Sequence, residues 1–157
     1  MRLNESTVIK APPEVVWEYL SDLDNYMQFM SGITRWDADG EQTSGLGARR
    51  KMLLKVGSAE IGGLIEIVEW DAPNDLAWSS VSGVDQRGRL RVRKTGKAST
   101  RVELRYAYGV AGGGLAGIIS ERLSARTISG HLRTSLTQLK RLVESERPRS
   151  YTESLRA

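Results

Sequence analysis

The sequence predicts an α+β fold: an antiparallel sheet of about seven strands covered on one face by a long C-terminal helix, with two short helices after the first strand. Three observations predict it. The apolar pattern alternates with period two from Gly45 to Ala111. Within that stretch RGRLRVRK places Arg87, Arg89, Arg91 and Arg93 on one side of a strand and Gly88, Leu90, Val92 and Lys94 on the other. Beyond it, Ile118, Ala125, Ile128, Leu132, Leu136, Leu139 and Val143 recur every three or four residues and form one long apolar stripe.

The elements follow in order. LNESTVIK, residues 3 to 10, is a first strand. Proline pre-sets φ for a first helical turn, so PPEVVWEYLSDL follows as a short helix with Val15, Val16, Tyr19, Leu20 and Leu23 at helical spacing. DNYMQFM is a second short helix that ends at Gly32, and Ile33 to Asp37 starts a strand closed by Asp39-Gly40. Five strands then come in succession: GLGARRKMLLKV, AEIGGLIEIVEW, DLAWSSVS, RGRLRVRK and TRVELRYAYGV. Turn signals divide them, and connections this short favour an antiparallel meander over parallel crossovers. Gly112-Gly113-Gly114 forms a corner before a helix from about Leu115 to Glu144, and ERPRSYTESLRA is expected to be a disordered tail. Residues 1–146 are thus read as one domain and 147–157 as its tail.

Four of the strands have one apolar and one largely charged face. A single sheet, wet on one side and covered by the long helix on the other, accounts for all of them. The 157 residues suit one domain that buries roughly 70% of its unfolded surface. The absence of cysteine excludes disulfides, thiolate catalysis and cysteine zinc sites. His131 is the only histidine, which excludes a multi-histidine metal site, and no cofactor is implied. With no apolar run near the ~20 residues that span a bilayer and no leader-like segment, the expectation is a cytoplasmic protein.

Specific stretches resemble a known family. VIKAPPEVVWEYLSDLDNY resembles the opening of the polyketide cyclase/dehydrase and lipid-transport group of the START-like (SRPBCC, Bet v 1-like) superfamily. IVEWDAPNDLAW is similar to that group's central hairpin, and GGGLAGIISERL with LTQLKRLVE to its closing helix. The resemblance spans residues 3 to 145 and implies the helix-grip fold, a curved sheet wrapped on the long helix with a cavity for an apolar or aromatic molecule between them. Such a protein carries or sequesters a hydrophobic ligand, lipid or polyketide-like; the alternative is a polyketide aromatase/cyclase or dehydrase working in the same cavity.

On that reading the cavity is lined by Met52, Leu54, Ile65, Ile67, Trp78, Leu90, Val92, Leu104, Ile128, Leu132 and Leu136, with Met27, Phe29 and Met30 at its mouth. A solid core is the competing account of the same residues. Arg50 points inward by alternation, where a guanidinium needs a partner. Glu69, also inward by alternation, or an acceptor on a ligand can serve; a strand end open to solvent or a bulge is the alternative. Tyr106 and Tyr108 share the inner face as core tyrosines, ligand contacts or, in a cyclase, proton donors. His131 lies at the edge of the helical stripe, either a boundary residue or a cavity acid/base, and Glu121 near its centre suits a helix start or the cavity mouth. Arg50, Tyr106, Tyr108 and His131 are therefore the catalytic candidates, and no nucleophile motif accompanies them.

Arg87, Arg89, Arg91, Arg93, Arg101 and Arg105 form a basic outer surface with only Glu103 among them. A solvated face is the first reading, docking to an anionic membrane the second, and a nucleic-acid or ribosome-associated module the third. The strands lack the exposed aromatics of an RNA-binding sheet unless Trp70 is exposed, so nucleic acid is the least favoured partner.

Overall fold

The computed structural model describes residues 2–109 and 121–145, with side chains omitted for 121–124. The predicted corner at Gly112-Gly113-Gly114, the Glu121 side chain, Ile118 and the tail lie outside what is described. Seven antiparallel strands form one sheet: β1 (Arg2–Ile9), β2 (Ile33–Asp39), β3 (Arg49–Val56), β4 (Ala59–Asp71), β5 (Asp75–Ser80), β6 (Gln86–Gly96) and β7 (Ser99–Tyr108). Their order is β1-β7-β6-β5-β4-β3-β2, so every neighbour except the β1–β7 pair is also a neighbour in sequence. Helices α1 (Pro13–Ser21) and α2 (Tyr26–Phe29), joined by a 3-10 turn (Leu23–Asn25), carry the chain from β1 to β2 at the far edge. The long helix α3 (Glu121–Ser145) covers one face. This is the helix-grip arrangement.

Alternation decides the two faces. On β7, Val102, Leu104, Tyr106 and Tyr108 are buried, while Arg101 and Arg105 are exposed. Ile128, Leu132, Leu136, Leu139 and Val143 on α3 bury the stripe that helical spacing predicts, and Ser135 is buried beside them. Polar ties fix α3 along β1: Ser129 Oγ donates to Glu5 Oε1 at 3.0 Å, and Lys140 Nζ donates to the Val8 carbonyl at 2.8 Å. At its end, Glu144 Oε1 accepts from Lys140 Nζ at 2.7 Å and from the Lys10 amide at 2.9 Å. Hydrogen bonds from both lysines, and their charge, hold the Glu144 carboxyl below its usual range although burial pushes the other way.

Close approach bends β4. A Cβ on Gly62 would lie 2.0 Å from the Met52 carbonyl oxygen, and one on Gly63 would lie 2.2 Å from that of Ser82. Only glycine lets both the β3 backbone and the β5–β6 connection press so tightly on this strand. Farther along, a bulge at Val68 shifts the β4–β5 register, so that Ile67 faces Trp78 while Glu69 faces Ala77.

Candidate functional site

Strand register gathers polar side chains into a row on the face beneath α3. Arg50 stands opposite Ile65, Ile65 opposite Ser80, and Gln86 opposite Tyr108. The Gln86 amide N–H donates to Ser80 Oγ at 3.2 Å, which joins the two halves. The adjacent row runs Ile67, Trp78, Gly88 and Tyr106. All of these side chains except Ser80 are buried, so polar groups that alternation would normally send to water are set in the apolar layer.

Gly88 makes the slot for Trp78. A Cβ there would meet the indole Cζ2 at 1.9 Å, so the six-membered ring occupies space that any other residue would fill. The Trp78 Nε1–H is buried and has no hydrogen-bond partner in the protein. Beside it, the Tyr106 hydroxyl donates to Gln86 Oε1 at 2.6 Å and leaves Gln86 Nε2 buried without a partner. Burial, and then the neighbouring Tyr108, push the Tyr106 phenol well above its usual ionisation range. Tyr106 is therefore a hydrogen-bond donor at neutral pH and not a base. Its ring centroid lies 5.9 Å from that of Tyr108.

Arg50 is inward and 3% exposed, as alternation predicts. Its partners differ from the expected one. Nη1 donates to Asp24 Oδ1 at 3.0 Å, Nη2 donates to the Thr43 carbonyl at 2.8 Å, and the guanidinium carbon sits 5.9 Å from the Trp36 ring centroid. Arg50 thus latches the β2–β3 connection to the 3-10 turn, and its Nε remains buried without a partner. Glu69 is not available to it. The bulge at Val68 turns Glu69 to the outer face, where its Oε2 accepts from Arg89 Nη2 at 2.6 Å. The same slip brings Trp70 inside, edge-on to Trp17 at 5.5 Å and 74°, so it is no outer aromatic.

The other candidates take varied positions. Met52, Leu54, Ile65, Ile67, Leu90, Val92, Leu104, Ile128, Leu132 and Leu136 are buried with Phe29 and Met30, whereas Met27 is 49% exposed on α2. Inner-face exposure stays low, from 0% at Leu90 and Leu104 to 7% at Tyr108, so in this conformation these side chains pack as core. A ligand-sized volume of about 700 Å³ is lined mostly by outer-face residues, with Leu3, Trp78, Gly88 and Tyr106 also in its lining. Both His131 ring nitrogens are engaged: Nδ1 is 3.1 Å from Ser31 Oγ and Nε2 is 3.1 Å from the Lys55 carbonyl, which fixes α3 against the β3 end. Since a carbonyl only accepts, Nε2 donates to Lys55, and Nδ1 shares a hydrogen bond with the serine hydroxyl. Among the described residues no group of three or more His, Cys, Asp or Glu side chains is placed to hold a metal. No helix among them is long and apolar enough to cross a membrane.

Sequence reasoning missed Gln86, Ser80 and Asp24. Gln86 has the parity of Gly88 and Leu90, so starting that strand one residue earlier places it inward. Nothing local marks Asp24 as the partner of a residue 26 positions away.

Residues 1–144 match the family model described as polyketide cyclase / dehydrase and lipid transport. The fold is similar to that of a protein from Thermus thermophilus, with a TM-score of 0.79 and 20% identity over 94% of this chain and 100% of that one. It is also similar to the Zhui aromatase/cyclase of Streptomyces sp. R1128, with a TM-score of 0.80 and 13% identity over 96% of this chain and 97% of that one. A conserved protein from Geobacillus kaustophilus is a further structural relative, with a TM-score of 0.72 and 18% identity over 92% and 96% of the two chains. At these identities the likeness is one of fold. No curated protein matches the sequence.

Proposed function

The chain belongs to the polyketide cyclase / dehydrase and lipid transport family, and from that premise we propose that it holds a small apolar guest bearing carbonyl or hydroxyl oxygens between the inner face of the sheet and α3. One observation carries the reading. Arg50 Nε, Trp78 Nε1 and Gln86 Nε2 are buried N–H donors on that face, and none has a protein acceptor. Leaving such a donor unpaired costs about 1–3 kcal/mol, and an acceptor that reaches it returns most of that. The only other such atom among the described side chains, Arg91 Nε, lies on the outer face 3.6 Å from Asp75.

The layout favours an elongated guest. Trp78 and Gln86 lie on adjacent strands, and Arg50 is three strands away from Gln86, about 14 Å at the usual strand spacing. Apolar neighbours in the same rows, Ile65 and Ile67, suit a hydrocarbon or aromatic body. Admission requires the packed inner face to open, and release of the Arg50 latch frees the connection at one end. A guest oxygen then competes with Asp24 and Thr43 for the guanidinium.

Binding without turnover is the better supported form of this function. Tyr106 is kept protonated and donates to Gln86, and both His131 nitrogens are spent on α3 packing. An aromatase/cyclase acting here would accelerate reaction mainly by confining a reactive chain in one shape. That alternative predicts a progressive change in absorption at substoichiometric protein, where a carrier gives a change that saturates at one equivalent.

Fluorenone and fluorene share a shape and differ by one carbonyl, which makes them a direct test by tryptophan fluorescence titration. Fluorenone is expected to bind about fivefold more tightly or better, from one satisfied buried donor. Equal affinity for the two, or tighter binding of the hydrocarbon, sinks the acceptor-bearing guest.

A further inference from the structure

The face of the sheet away from α3 carries a cavity. A trough of about 700 Å³ crosses β1, β7, β6 and β5, and register sets its layout. One cross-strand row runs Ser79, Arg87, Ala107, Arg2, and the next runs Ala77, Arg89, Arg105, Asn4. Small side chains form the floor between arginines. In the first row Ala107 separates Arg87 from Arg2, whose strands stand two spacings apart, about 10 Å. Two side chains of that length can converge over an alanine on one anion.

Charge balance differs between the rows. Arg89 sits directly opposite Arg105, an unfavourable like-charge pair. Each has an acid to offset it: Glu69 holds Arg89 at 2.6 Å, and Glu103 holds Arg105. Asp75 similarly serves Arg91 at 3.6 Å and Arg93 at 3.1 Å. Much of the outer face is thus neutralised by acids, of which alternation alone placed Glu103 there and sent Glu69 inward. Arg2 and Arg87 are both exposed, and neither has an acidic partner among the described residues. At the other side Val68, outward by alternation and 49% exposed, lies with Ala77 as an apolar shelf.

We infer that this trough binds a small soluble molecule with an anionic head, phosphate or carboxylate, and a compact apolar body. The head lies between Arg87 and Arg2 over Ala107, and the body lies against Ala77 and Val68. The volume is in the range of small-molecule sites, roughly 300–1,000 Å³. Concavity selects a discrete solute over a lipid surface, since a flat bilayer meets the rim and leaves the floor unfilled. Trp78, Gly88 and Tyr106 of the inner row also line the trough, but the contacts proposed for head and body use none of them.

Isothermal titration of the full chain at low salt with 1-naphthyl phosphate, 1-naphthol and inorganic phosphate tests it. The ester is expected to bind at least about tenfold more tightly than the neutral naphthol, and Arg87→Ala to weaken the ester about tenfold, as loss of a charge-assisted hydrogen bond implies. Ala107→Leu fills the floor without removing charge and should weaken it comparably. Equal binding of ester and naphthol overturns the site, as does insensitivity to both variants. Loss of ester binding in Trp78→Phe but not in Arg87→Ala moves the molecule to the inner face and also overturns it. Arg87-dependent pelleting with phosphatidylserine vesicles, without affinity for the ester, assigns the face to a membrane instead.

Discussion

Replacing Gly88 with alanine puts a methyl group into space that Trp78 already fills. The added carbon would lie 1.9 Å from Cζ2, 2.1 Å from Cε2 and 2.6 Å from Cη2 of the indole. Carbon atoms pack at about 3.5–4.0 Å, so the ring must retreat by roughly 1.5–2 Å. It has nowhere to go: Trp78 is 2% exposed, and its inner-face neighbours Ile67 and Leu90 are 1% and 0% exposed. Overpacking of this kind costs about 1–3 kcal/mol. Gly88 does not have a positive φ, so alanine adds no backbone strain and the loss is steric alone. For a domain of this size that loss lowers Tm by about 2–12 °C. Thermal unfolding followed by circular dichroism reads it. Trp78→Phe removes the clashing atoms, so in the double variant the two losses should fall short of their sum by about 1 kcal/mol or more. A Gly88→Ala protein that melts within about 1 °C of wild type refutes the slot; so does strict additivity.

Two further perturbations probe the ties around the site. Arg50→Met keeps the volume of the buried side chain but loses its bonds to Asp24 and Thr43; since the Asp24 side chain is 79% exposed, no charge is stranded. The expected loss is about 1–3 kcal/mol with faster proteolysis between residues 40 and 48, and an unchanged cleavage pattern removes the latch. Glu144→Gln tests the anchor of α3. Because the folded carboxyl titrates below its ordinary value, the stability it adds is present above that value and fades as pH falls through the folded one. Partial exposure limits the effect to about 0.5 kcal/mol at neutral pH. The gap between wild type and variant in denaturant titrations should close on acidification, and a gap that persists to about pH 2 contradicts the assignment.

Much of this architecture is legible in the sequence because burial writes a period into it. Alternation assigns Arg50, Met52, Leu54, Tyr106 and Tyr108 to the inner face, and the helical stripe on α3 survives as Ile128, Leu132, Leu136, Leu139 and Val143. What was not legible depends on contacts between segments distant in sequence. A single extra residue at Val68 reverses every later face on β4, which sent Glu69 out to Arg89 and drew Trp70 in against Trp17. No periodic signal marks such a bulge in advance. Gly88 reads as one more residue on an apolar face until register sets Trp78 opposite it. The outer trough is hidden for the same reason, since its floor of Ser79, Ala77 and Ala107 comes from β5 and β7, which are brought together only by pairing on either side of β6. The family resemblance implies an open chamber beneath the helix; the described inner-face side chains are largely buried, and the polar row with its unpaired donors is a further sign of a guest that the sequence did not display.

Indole nitrogen resonances test that sign most directly. Four tryptophans give four Nε1–H signals, and Trp78→Phe identifies one of them. Trp36 Nε1–H already donates to the Leu23 carbonyl at 2.8 Å and supplies an internal reference. On titration with fluorenone the Trp78 signal should move downfield and saturate with binding while the Trp36 signal holds its position. Saturated binding that leaves the Trp78 signal unmoved contradicts the account.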